Sequence, residues 1–167
     1  MARYAEKTQV PVERSKAELD GVLARAGAQQ RGFFNDEELG KAVVVFSLQG
    51  RQVKLSMSFS TVADVASVVV AKRTEQPHGW HSWPASKRQQ WVKDKVLQAE
   101  RQRWRAMLLC VKAKLELIAD GESTLEREFL HDILLPNGRT VGESVLPTIA
   151  EAYATGRMPP LLPEYGG

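Results

Sequence analysis

Hydrophobic positions change period along the chain, and the changes mark its elements. Leu19, Val22, Leu23 and Ala26 recur at i, i+3, i+4 and i+7, the spacing of one helix face. Ser15 and Glu18 have capping-box spacing, so a short amphipathic helix is expected from there to Gly27, a residue suited to closing it. In Arg51–Phe59 the period drops to two. Val53, Leu55, Met57 and Phe59 alternate with Gln52, Lys54, Ser56 and Ser58, the pattern of a strand with one buried face. A two-residue turn at Gln49-Gly50 would set Phe46 opposite Val53 and Val44 opposite Leu55, directing the apolar residues of both strands to one side. Phe33 and Phe34, followed by the polar turn Asn35-Asp36-Glu37-Glu38, supply a preceding strand of an antiparallel meander. Residues 60–70, with Val62, Val65, Val68, Val69 and Val70, allow a fourth strand or a short buried helix, and periodicity does not choose between them.

Residues 72–85, with Pro77, Gly79 and Pro84, read as a loop. From Ser86, which with Gln89 has capping-box spacing, no Gly or Pro interrupts a run of good helix formers up to Ala119. On this long helix Leu97, Trp104, Met107, Leu108, Val111, Leu115 and Ile118 share one arc of about 100°, as a core-facing helix requires. Lys87, Arg101, Arg105 and Lys112 cluster on the adjoining arc, with Arg103 and Lys114 on the opposite flank. Such a helix extends about 50 Å, against a radius of gyration of about 15 Å for a globule of this size. One end must project, break or pack against another subunit. Gly121 ends it, Ser123 and Glu126 give a third capping-box pair, and Leu125, Phe129, Ile133 and Leu134 mark a shorter helix. After the Pro136-Asn137-Gly138 turn, a last helix lies within Thr140–Thr155, with Thr140 and Glu143 as its cap. Pro147 either sits in a late first turn or kinks it, and Gly156 closes it. Met158-Pro159-Pro160-Leu161-Leu162-Pro163 forms a Pro-rich extended strap.

These elements describe an α+β fold: an N-terminal helix, an antiparallel three- or four-stranded meander, a long basic amphipathic helix, two further C-terminal helices and the strap. At 167 residues the chain is expected to form a single domain. Its segments are an arm at 1–10, helix plus sheet at 11–71, a loop at 72–85, the long helix at 86–119, a helical segment at 120–157 and a tail at 158–167. A composition 43% hydrophobic and 26% charged supports a real core and excludes wholesale disorder. The one cysteine, Cys110, cannot form an internal disulfide, and no charged-apolar-small leader opens the sequence, so a reducing, intracellular setting is expected. No apolar run is long enough for a membrane helix.

Charge becomes informative when divided. The net +3 splits into +1 over residues 1–71, +8 over 72–114 (11 basic, 3 acidic) and −6 over 115–167 (3 basic, 9 acidic). A basic middle beside an acidic end arises either from pairing inside the fold or from a face aimed at a polyanion. The basic stretch also contains Trp80, Trp83, Trp91 and Trp104, all four tryptophans of the chain. Cations neutralise phosphates and aromatic faces stack on unpaired bases, so the mixture suits a single-stranded polynucleotide. Trp104 falls on the buried arc, Trp80 and Trp83 suit loop anchors, and Trp91 suits either core or exposed stacking.

Other chemistry is poorly supported. His78 and His81 have ligand-like spacing, but a zinc site needs three or four ligands and no second pair accompanies them. Cys110, between Leu109 and Val111, reads as a small packing residue rather than a nucleophile. No G-x-S-x-G, phosphate-cradling glycine loop or H-E-x-x-H occurs. Neither an enzyme, a metal site nor a cofactor is expected.

Three blocks of sequence carry a resemblance: Arg3-Tyr4-Ala5-Glu6-Lys7-Thr8 with Val12, Arg14 and Ser15; Arg101-Gln102-Arg103-Trp104-Arg105-Ala106 with Lys112-Ala113-Lys114-Leu115-Glu116; and Leu135-Pro136-Asn137-Gly138-Arg139-Thr140-Val141-Gly142 with the Met158–Pro163 segment. Through them the chain resembles a family of uncharacterised proteins of tailed bacteriophages and prophages. The resemblance implies a phage origin and a host-cytoplasmic setting, and no site roles. The expected function is therefore that of a nucleic-acid-binding accessory protein of phage DNA replication or recombination. Single-stranded DNA is the favoured partner, with Lys87, Arg88, Trp91, Arg101, Arg105 and Lys112 as its contacts. The alternative is a phage interaction factor that modulates or inhibits a host complex. A homo-oligomer, or docking on a replication or recombination protein, is compatible with either.

Overall fold

The computed structural model describes residues 8–36, 39–71 and 76–160. In chain order the elements are α1 (Val12–Arg25), β1 (Gln29–Asp36), β2 (Lys41–Leu48), β3 (Arg51–Ser58), α2 (Val62–Ala71), α3 (Ala85–Ala119), α4 (Leu125–Phe129) and α5 (Val141–Thr155). Single 3-10 turns occupy Trp80–Ser82 and Leu130–Asp132. The strands form one sheet in the order β1-β2-β3, and the α+β architecture expected from the hydrophobic pattern is the one observed. Most of the N-terminal arm, Glu37 and Glu38 of the first turn, Lys72 and Arg73, and Leu161–Pro163 of the strap lie outside the described residues.

The β2–β3 hairpin follows directly from its sequence. Gln49 and Gly50 both have positive φ, 49° and 75°, the left-handed pair that matches the twist of a two-residue hairpin. With register set by that turn, Val44, Phe46, Val53 and Leu55 are all buried while Arg51, Gln52 and Ser56 are exposed.

One open alternative is decided and three local expectations are corrected. Of the two alternatives for 60–70, the helix forms, as α2. The Thr61 hydroxyl accepts from the backbone N–H of Asp64, and the Asp64 carboxylate accepts from the Thr61 backbone N–H at 2.8 Å, so a reciprocal N-terminal cap decides what periodicity could not. Helix α1 starts at Val12, which leaves Ser15 inside the helix, buried, its hydroxyl without a protein partner. The cap of α4 is Thr124, whose side chain accepts from Arg127 N–H, one residue later than expected. That helix also stops at Phe129; Ile133 and Leu134 are extended, bridging to Val53 and Thr140 respectively.

The chain divides into two compact units, each drawn from several stretches of sequence. The first contains Met1–Val22, Phe33–Val43 and Ser56–Ala113. Within it Trp104 is fully buried, with the Phe33 ring 6.3 Å away and the Lys16 ammonium 4.9 Å over its face. Leu19, Phe59, Leu108 and Val111 are buried in the same unit. A second, smaller cluster centres on Trp80 and Val92, with Val65, Ala66, Trp83 and Trp91 packed around them.

The second unit contains Leu23–Gly32, Val44–Leu55 and Lys114–Gly167. Phe46 meets Phe129 edge-to-face at 5.7 Å, a favoured aromatic geometry, and Leu23, Leu125 and Val53 are buried in this unit. A full capping box opens α5: Thr140 accepts from Glu143 N–H at 3.1 Å, and the Glu143 carboxylate accepts from Thr140 N–H at 2.9 Å. Pro147 lies inside α5 and has no N–H to donate to the carbonyl of Glu143 four residues back. The Arg139 guanidinium donates to that carbonyl instead, so the proline is accommodated.

Candidate nucleic-acid interface

The basic stretch is organised by its tryptophans. Gly79, at φ 78°, turns the chain into the 3-10 turn Trp80–Ser82, and the Ser82 hydroxyl ties the turn by donating to Gly79 O at 2.8 Å. Trp80 is thereby buried against Val92, and its ring lies 5.8 Å from Trp83 and 5.4 Å from Trp91. Three cations sit on these indoles. Lys87 Nζ is 4.2 Å from the Trp83 ring centre, Lys95 Nζ 5.1 Å from that of Trp91, and the Arg88 guanidinium carbon 6.0 Å from that of Trp80.

Lys87, Trp91 and Lys95 follow one another at i, i+4 and i+8, which places them on one side of about the first three turns of α3. The ring quadrupole attracts each cation without neutralising it, so the positive charge is positioned but remains available. Among the described residues no carboxylate forms an ion pair with Lys87, Arg88 or Lys95. Asp94, the acid nearest in sequence, accepts from the Gln90 side-chain amide at 2.9 Å.

The expected contact residues divide at this point. Lys87, Arg88 and Trp91 come together. Arg105 does not join them: its Nη1 is 2.7 Å from the Glu18 carboxylate on α1, so its charge is engaged inside the fold. The Arg105 hydrogen bond, chief among its neighbours, and Arg14 hold the Glu18 carboxyl below its usual value. The acidic partner thus comes from the N-terminal helix, not from the acidic C-terminal third. Arg101 is half-buried and its Nε is enclosed without a protein partner. Lys112 is exposed and makes no ion pair among the described residues, but it lies about 25 Å along α3 from Lys95.

The stacking role expected for the tryptophans is also modified. Trp80 is core, Trp83 and Trp91 are half-buried, and the three ring systems are occupied by one another and by the cations. They act as a platform that fixes the cations. Sequence reasoning missed Lys95, although its i+4 spacing from Trp91 was a readable signal.

Cys110 is exposed, not packed, because the buried side chains of this part of α3 are Trp104, Leu108, Val111 and Leu115 and residue 110 falls about 100° away from 111 around the helix. His78 and His81 are exposed, and among the described residues no three His, Cys, Asp or Glu side chains gather in a metal-holding group. None of the described helices is long and apolar enough to cross a membrane. No family model, curated protein or solved structure matches the chain.

Proposed function

We propose that the protein binds nucleic acid, preferentially single-stranded DNA, through the tryptophan-seated cations at the start of α3. The observation that carries this reading is the pairing pattern of the basic residues: Lys87, Arg88 and Lys95 rest on aromatic faces with no carboxylate partner among the described residues, whereas Arg105 is tied to Glu18. Cations held in that way meet a phosphate chain without first breaking an internal ion pair. The half-buried Trp83 and Trp91 hold the cations within about two turns of α3, a short track that a flexible single strand follows more closely than a stiff duplex. The wider role, as an accessory to phage DNA replication or recombination, joins this binding to the phage origin and host-cytoplasmic setting that the sequence resemblance implies.

Fluorescence anisotropy with labelled single- and double-stranded oligonucleotides at several salt concentrations tests the proposal. Engaging three phosphates should give a slope of log K against log salt of about −2 on a single strand. Replacing Lys87, Arg88 and Lys95 together by Gln should reduce affinity at low salt by at least tenfold, with the helical circular-dichroism signal retained. Arg105→Gln should leave affinity within twofold of the parent. Loss of binding on Arg105→Gln, or full binding by the triple variant, places the contact elsewhere.

A further inference from the structure

The first turns of α3 carry two stripes of side chains. Lys87, Trp91 and Lys95 form the cation platform, and Ala85, Gln89, Val92 and Lys93, at i, i+4, i+7 and i+8, follow a second line around the helix. Arg88 falls between the two. Between the second stripe and α2 lies an open cleft of about 590 Å³, within the range of roughly 300–1,000 Å³ that holds small ligands. Its lining is mostly apolar: Trp80 and Val92 are buried, Ala66 packs half-buried against them, and Val62 is left 51% exposed. The polar side chains are Arg88, Lys93 and Gln89. Among the described residues no acid lines the cleft, and neither cation forms an ion pair. A neighbouring cleft, beyond Val62 and Lys93, includes Glu100 and is less suited to an anion.

Two observations point to the occupant. The cleft is continuous with the platform through Arg88, which lines it while its guanidinium carbon lies 6.0 Å from the Trp80 ring centre. The rings of Trp83 and Trp91, in turn, are taken up by Trp80 and by Lys87 and Lys95. A strand whose phosphates lie on the platform therefore meets no open indole for its bases, but a base next to a phosphate at Arg88 finds an apolar space beside it. The cleft fits such a ligand in both respects, with an apolar lining for the ring and cations for the charged backbone that carries it.

We propose that the cleft takes an unpaired nucleobase of the bound strand, with the ring against Val62, Ala66 and Val92, the flanking phosphates on Arg88 and Lys93, and the Gln89 amide on the base edge. That amide is donor and acceptor in one group, as the edge of a base requires. A base paired in a duplex enters only after leaving its stack, so the cleft is the place where a single strand is told from a double one. This occupant presupposes nucleic-acid binding at the platform.

Fluorescence anisotropy of the full chain at low salt tests it with two labelled single strands of equal length and charge, an oligothymidine and a counterpart built wholly of stable abasic residues. The base-bearing strand should bind more tightly by about fivefold or more. Val62→Met with Ala85→Met, at two exposed lining positions, narrows the cleft without adding a charge or a ring. It should remove that difference and leave affinity for the abasic strand within about twofold of the parent, with circular-dichroism melting unchanged. Gln at Lys87, Arg88 and Lys95 should weaken both strands. Equal affinity of the parent for the two strands, or a base preference that survives the paired methionines, overturns the cleft proposal and leaves phosphate binding at the platform standing. Absence of binding to either strand overturns the platform itself, and the cleft proposal with it.

Discussion

At the scale of single residues, Gly40 joins two chain segments by close backbone contact. Gly40 has φ 58°, and a Cβ there would stand 2.4 Å from the backbone oxygen of Phe59, while its own carbonyl accepts from Phe59 N–H at 2.8 Å. The obstacle is backbone, which cannot rotate away. Gly40→Ala should therefore destabilise by about 2–4 kcal/mol, combining left-handed strain with displacement of that contact, as read from the urea midpoint. A cost below about 1 kcal/mol would mean that the two chain segments separate easily. Gly40 was not singled out by sequence, because its partner lies across a turn rather than beside it in the chain. Ser15 shows the converse: a Ser with Glu three residues on looks like a cap, but Val12 and Leu19 are buried with it and draw the helix start forward. The fate of Arg105 was equally unreadable, since Glu18 is 87 positions away.

At the scale of elements, legibility follows how local the determining forces are. The β2–β3 hairpin was readable to its register because an alternating pattern and a two-residue turn act within a few residues of each other. The start of α5 was readable for the same reason, and it yields a direct test. Thr140→Ala removes the acceptor for Glu143 N–H and should cost about 1 kcal/mol in chemical denaturation, whereas Thr140→Ser, which keeps the oxygen, should cost less than half of that. Ile133 and Leu134 continue the apolar spacing of α4 but are recruited to bridges with Val53 and Thr140, partners that spacing cannot reveal. The apolar arc of α3 is buried at Trp104, Leu108, Val111 and Leu115, but Leu97 on the same arc is exposed, so the N-terminal part of this helix buries a different side, marked by Val92.

At the scale of the whole molecule, the charge division visible in composition is only partly an internal matter. Glu18, Asp64 and Glu143 all have carboxyls held below their usual values, by Arg105, by Thr61 and by the Thr140 backbone N–H respectively. Carboxylates favoured in this way stabilise the folded chain above their ordinary values of 4.5, 3.8 and 4.5, and that contribution is lost as pH falls through the lower folded values. Thermal melting should accordingly be nearly level from pH 7 to 5 and fall steadily below about pH 4.5; Glu18→Gln should flatten part of that fall, and a curve unchanged in this variant would show that the Glu18–Arg105 pair contributes nothing. The platform of Lys87, Arg88 and Trp91 was legible as a cluster because helix spacing brings neighbours in sequence together; the exclusion of Arg105 was not, since it depends on a contact between elements. The placement of Cys110 has a practical corollary. As the chain's sole thiol and an accessible one, it accepts a single maleimide dye on α3 without mutagenesis, which makes fluorescence energy transfer between differently labelled copies straightforward. The same accessibility means that air oxidation can couple two chains through sulfur.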